Sequence, residues 1–208
     1  MVSQSELNKA LSIMRLNWSK QDDTNDNDTQ FIYDVKTVRE CLSECERKNI
    51  KNVGYVLHRW YNYQTSKNCE ELFIKYGAVG EKNKTHKEID FYIAGRPFDL
   101  KITVFPLALK NKKLDLTKME DRDYLIRWFY KNQSQAARRH FANRIFIVCK
   151  GDSVFENQWL KGNTPLVEKQ IQKYMKEHEY LPHLVTIDTD AGKKMVFSDI
   201  VVIQRKEL

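Results

Sequence analysis

Glycine is scarce in this chain, seven in 208 residues. None of the seven stands in the GxGxxG or GxxxxGK spacing that lets backbone N–H groups close around a phosphate, which argues against nucleotide-dependent activity. No serine occupies a nucleophile elbow. Cysteine is equally sparse: Cys41, Cys45, Cys69 and Cys149 show no CxxC spacing. The last two stand in apolar runs where a thiol behaves as a small hydrophobe, so neither a disulfide nor a zinc site is expected. His58, His140, His178 and His183 are too dispersed for a zinc set. The sequence has no apolar run near the ~18 residues that cross a bilayer and no charged-then-apolar leader, so the expectation is a cytoplasmic protein without a membrane partner.

What the chain does have is charge and a core. Hydrophobic residues make up 41% and charged residues 30%, with a formal net charge of +7 and a pI near 9.1. That suffices for a single domain, and the surplus of lysine and arginine favours a polyanionic partner such as nucleic acid. Helical spacing over residues 4–19 and 33–48, separated by the solvated stretch QDDTNDNDTQ, predicts a helical N-terminal segment, 1–51, packed on an α/β core, 52–208.

Within that core, NVGYVLHRWYNYQ predicts a helix, and Ser66 is placed to cap a second one, NCEELFIKY, that stops at Gly77. A hairpin follows, then a helix over 119–141, the buried strand RIFIVCK, a helix over 165–178, and the strands HLVTID and MVFSDIVVIQ. The order implies a mixed β-sheet flanked by helices.

The hairpin HKEIDFYIAGRPFDLKITVFP, residues 86–106, carries the chemistry. A two-residue turn at Gly95-Arg96, type II′, sets Asp90 opposite Lys101 and Tyr92 opposite Asp99. Pleat parity then puts Asp90, Tyr92, Asp99 and Lys101 on one face and Ile89, Phe91, Ile93, Phe98, Leu100 and Ile102 on the apolar other. Asp90 and Asp99 become diagonal neighbours, roughly 7–8 Å apart, able to converge on one ion. A hard divalent cation such as Mg²⁺, or Mn²⁺, takes oxygen ligands and completes its shell with water and phosphate. A lysine beside it can orient the attacking water and neutralise developing charge.

Asp90 followed by Asp99-Leu100-Lys101 resembles the PD-(D/E)xK nuclease superfamily, which includes many restriction endonucleases and Holliday-junction resolvases. The succession helix, hairpin, helix, strand over roughly 66–150 matches its common core. Ile89 stands where the motif name has proline, and the gap between the acids is near the short end. The resemblance implies a restriction-endonuclease-like fold and a glutamate from the upstream helix. Helical phase favours Glu70, which flanks the stripe Cys69, Leu72, Phe73 and Tyr76, over Glu71, which points away. The resemblance also implies a Gln or Arg near the metal on the helix after the lysine strand.

Residues 127–144 collect Arg127, Lys131, Gln133, Gln135, Arg138, Arg139, His140 and Arg144 among aromatics. Gln133, Gln135, Arg138 and Arg139 are the candidates for phosphate or base contact, and no motif selects one. His86 and Lys87 can approach from the loop before the first strand.

The reading is a Mg²⁺-dependent DNA endonuclease of restriction or defence type. Asp90, Asp99 and Glu70 hold metal, Lys101 assists water, and a homodimer is implied by symmetry if both strands are cut. Two alternatives stand: a non-catalytic nucleic-acid-binding or assembly protein that uses the hairpin acids structurally, and an RNA-processing nuclease with the same residues.

Overall fold

The computed structural model describes residues 1–16, 23–83, 88–132, 141–177 and 182–205. Three helices precede the core. Helix α1, Gln4–Ile13, starts at Ser3, whose Oγ accepts the Glu6 N–H (3.3 Å). It ends at Met14, which is already extended, well short of the expected residue 19. A short α2, Asp23–Asp28, forms inside the stretch expected to be a solvated loop. Its anchor is tertiary: Asp26 is buried against Arg59 (3.0 Å) and accepts from Tyr55 Oη (2.6 Å). Helix α3, Val38–Arg47, opens with a capping box between Thr37 and Glu40.

Helix α4 runs unbroken over Val53–Lys75, 23 residues, about 35 Å at the usual rise. Ser66 therefore caps nothing. The polar step that suggested a cap is absorbed inside the helix, because Thr65 Oγ1 donates back to Tyr61 O (2.9 Å) and no Gly or Pro follows Gly54 in the run. The N-terminal half of α4 contributes Val56, Leu57, Trp60 and Tyr61 to a core shared with Leu7, Ala10 and Leu11 of α1 and Cys41 and Cys45 of α3. Its C-terminal half packs on the sheet.

The strands are β1 Val79–Gly80, β2 Phe91–Ile93, β3 Arg96–Val104, β4 Arg144–Cys149, β5 His183–Thr189 and β6 Gly192–Ile203. They form one six-stranded mixed sheet in the order β1-β2-β3-β4-β6-β5, with β3, β4 and β6 parallel and the remaining pairs antiparallel. Helix α5, Met119–Asn132, crosses from β3 to β4, and the part of the expected helix beyond residue 132 lies outside the described residues until Phe141. Helix α6, Val154–Gly162, went unpredicted, although Ser153 followed by Glu156 is a capping signature and Ser153 Oγ accepts the Glu156 N–H (3.0 Å). Helix α7 spans Thr164–Glu177.

Every residue of β4 is buried, as both faces of a parallel strand require. Ile145, Ile147 and Cys149 join Phe91, Phe98 and Leu100 in a layer under α4 and α7, with Cys69, Leu72, Phe73 and Ile171. Phe146 and Val148 face the other way, with Leu125, Ile126 and Phe129 of α5. All four cysteines are free and buried. Among the described residues no helix is long and apolar enough to cross a membrane.

The hairpin turns one residue earlier than expected. Ala94 and Gly95 form the loop, both at positive φ (47° and 77°), the signature of a type I′ turn rather than II′. Ile93 pairs with Arg96, Tyr92 with Pro97 and Phe91 with Phe98. The slip amounts to two residues of register, so the apolar face keeps Phe91, Ile93, Phe98 and Leu100 while the partners across the strands change.

Candidate active site

Asp90 stands just before β2, at an irregularity that aims it. Its N–H donates to Phe98 O (2.9 Å) although Phe98 already pairs with Phe91. Two residues thus face one, the arrangement of a β-bulge, which turns the local side chain away from the simple pleat. The half-buried carboxylate folds back onto β3, where Oδ2 accepts the Leu100 N–H (2.7 Å). The expected position of Asp90 opposite Lys101 does not occur.

Asp99 and Lys101 are two residues apart on β3 and share a face. Parallel pairing sets Asp99 beside Arg144 of β4, and Arg144 beside Ser198 of β6, so the three form a row across the sheet beneath α5. The Asp99 side chain, 7% exposed, accepts from Lys101 Nζ at Oδ1 (2.6 Å) and from Arg144 Nε at Oδ2 (2.8 Å). Arg144 is itself only 9% exposed. Its guanidinium lies over the Tyr130 ring at 5.4 Å, and its carbonyl accepts from Ser198 Oγ (2.8 Å). Lys101 is 42% exposed at its side chain and reaches solvent.

Glu70 comes from the half of α4 that lies on the sheet. Its side chain is 14% exposed and accepts from Lys67 Nζ (2.5 Å), whereas Glu71 is 52% exposed and paired with the chain's amino terminus (2.6 Å). Glu70, Lys67 and Asp90 share the wall of a cleft of about 670 Å³ with Tyr63, Glu81 and Asn83. Asp99 and Lys101 are not among its walls.

Burial raises the Asp90 carboxyl above its ordinary value; the charge of Asp99 adds to this, while the Leu100 N–H and the lysines 101 and 67 oppose it. Burial likewise raises Glu70, with the Lys67 hydrogen bond opposing and the charge of Asp90 adding. For Lys67, burial disfavours the charge but the Glu70 carboxylate outweighs it, and the amine is raised. Asp90 is thus influenced by the charges of Asp99, Lys101 and Lys67, and itself raises Glu70.

Among the described residues no three His, Cys, Asp or Glu side chains stand together as a closed metal-binding group. The donors nevertheless suit a hard cation. Within the described residues, no hydrogen bond occupies Asp90 Oδ1 or Glu70 Oε1, and Asp99 Oδ1 carries only the solvent-reaching Lys101. Carboxylate oxygen is the donor type that a hard divalent cation takes, and such an ion fills the rest of its shell with water.

Of the nucleic-acid candidates, Gln133, Gln135, Arg138 and Arg139 lie outside the described residues, as do His86, Lys87 and His140. Arg127 sits on α5, 45% exposed beside Asp123 (3.6 Å), and Lys131 is exposed near the end of the same helix. Arg144 departs from the expected basic surface: it is buried at the start of β4 and bound to Asp99. Sequence reasoning missed that pairing because it depends on β3 lying next to β4, a contact 45 residues apart in sequence. Lys67 was more accessible to reasoning, standing one helical turn before Glu70. No family model, curated protein or solved structure matches this chain.

Proposed function

We propose that this protein is a divalent-metal-dependent nuclease with a restriction-endonuclease-like core, acting on DNA. The observation that carries the reading is the seat of Asp90 on β3: its Oδ2 accepts the N–H of Leu100, the residue between Asp99 and Lys101, while its side chain shares a cleft with Glu70. The succession α4, β1-β2-β3, α5, β4 and the net charge of +7 support it.

In this reading Asp90, Asp99 and Glu70 hold the cation. When bound, the ion supplies Lewis acidity toward the phosphate and a more acidic water. The chain's residues do the rest. The Leu100 N–H fixes Asp90, Arg144 fixes Asp99, and the Lys67 ammonium steadies Glu70 and balances charge in the cleft. Lys101, whose side chain is 42% exposed, orients water or meets the charge that develops on the phosphoryl oxygens.

A second reading has its own observation: both oxygens of Asp99 are already neutralised by cations, Lys101 and Arg144. A non-catalytic nucleic-acid-binding protein would keep these pairs simply as structure. Incubation with supercoiled plasmid, linear duplex, single strand and RNA, each with Mg²⁺, Mn²⁺ or EDTA, separates the readings. Metal-dependent nicking or linearisation of DNA supports the first. Metal-independent binding without a product of any kind, on every substrate, refutes it.

A further inference from the structure

Arg144 and Lys101 hold the two oxygens of one carboxylate, but they are built differently. Arg144 is 9% exposed, its Nε is 2.8 Å from Asp99 Oδ2, its guanidinium lies on the Tyr130 ring, and its strand is hydrogen-bonded on both sides. Tyr130 is held in turn by its hydroxyl, which donates to Ala142 O (2.7 Å), and by an edge contact with Phe146. Lys101 is a flexible chain, 42% exposed, whose ammonium touches Asp99 Oδ1 at 2.6 Å and makes no other hydrogen bond among the described residues. A buried arginine wedged by an aromatic face cannot leave without exposing an unpaired carboxylate, whereas an exposed lysine can exchange its partner for water at little cost.

We propose that Arg144 is the permanent positioning residue of the site, and that Lys101 is its exchangeable counter-ion, whose place on Asp99 Oδ1 a divalent cation takes. This rests on the metal-dependent reading above and adds to it which oxygen of Asp99 is offered, Oδ1 alone, and which residue must move first. The displaced ammonium stays tethered within a side chain's length of the cation, where the lysine of the proposed mechanism is needed. Asp90 obeys the same rule, since Oδ2 is committed to the Leu100 N–H and Oδ1 carries no hydrogen bond among the described residues. Each hairpin acid thus binds through one oxygen, with the other fixed by the protein.

The test pairs thermal melting with calorimetric Mg²⁺ binding, in the full chain, for wild type, Lys101→Met and Arg144→Met. Lys101→Met should melt lower than wild type in EDTA, because it leaves Asp99 half-paired, and Mg²⁺ should restore it. It should also bind Mg²⁺ about tenfold more tightly, since the ion no longer competes with an ammonium. Arg144→Met should melt lower by roughly 5–15 °C with or without Mg²⁺, the scale for breaking a buried pair in a protein of this size. Should that variant fail to fold, Arg144→Lys serves, with a smaller loss that is equally insensitive to metal. Restoration of the arginine variants by Mg²⁺, or unchanged affinity in Lys101→Met while wild type binds metal, overturns the exchange and leaves the nuclease reading standing. No binding heat in any of the proteins overturns both.

Discussion

Single side chains decide the chemistry. If Lys101 works on the attacking water or the transition state, Lys101→Ala should lower single-turnover cleavage by ~10²-fold or more while affinity for DNA changes little. Glu70 and Glu71 offer a sharper contrast, since adjacent residues of the same type occupy opposite situations, one 14% and one 52% exposed. Glu70→Ala should reduce cleavage well below the Glu71→Ala level, and equal rates for the two would remove Glu70 from the metal set. The sequence already separated these glutamates, because the apolar stripe of α4 gives the helix a phase and the phase assigns each neighbour a side. It could not reveal that Arg144 holds Asp99. Nothing local marks an arginine as buried when its partner arrives from a strand 45 residues away.

At the scale of elements, the hairpin and α4 carry the strain and the contacts that set the site. Ala94 sits at φ 47°, a conformation that costs an L-residue about 1 kcal/mol and that asparagine or glycine tolerates better. Ala94→Gly should therefore raise Tm by roughly 2–4 °C without altering the site, and a lower Tm would mean the turn is not type I′. The hairpin's faces were readable from alternation alone. Its register was not, because Gly95 fits either of two turns and a two-residue slip leaves every side chain on its own face. The bulge at Asp90 left no mark in the sequence at all.

Helix α4 is pinned at its other end by Tyr61, whose hydroxyl donates to Gln158 O (2.5 Å) across the buried Gly162 of α6. A Cβ at Gly162 would stand 1.9 Å from that oxygen. Gly162→Ala should cost on the order of 1–3 kcal/mol as overpacking, measurable as a denaturant midpoint shift at unchanged m-value. On the same helix, His58 is buried and its Nδ1 faces Arg15 O (2.5 Å); burial, the larger influence, lowers its pKa despite that carbonyl. The unfolded chain then binds a proton more readily than the folded one, so stability falls as pH drops below the unfolded value of about 6.5. Melting curves from pH 8 to pH 5 should show this decline, and His58→Gln should flatten it.

Across the whole molecule, mixed α/β architecture, the order of the strands β2 to β6, and a positive surplus were legible because each follows from periodicity and composition. Strand neighbours, the continuity of α4 and the helix α6 were not, since tertiary burial overrode local signals: a Thr-Ser step that reads as a cap was absorbed, and a short segment with a capping signature was passed over. The resulting molecule places a cleft with two half-buried acids beside a hairpin whose third acid is paired with two cations, an arrangement that does nothing for stability that apolar residues could not do as well. The direct test is single-turnover cleavage of supercoiled plasmid with Mg²⁺ by wild type and by Asp99→Asn, folding being verified for both by circular dichroism. The expected result is nicked or linear product from wild type, none with EDTA, and none from the variant. Cleavage by Asp99→Asn at the wild-type rate would contradict the account.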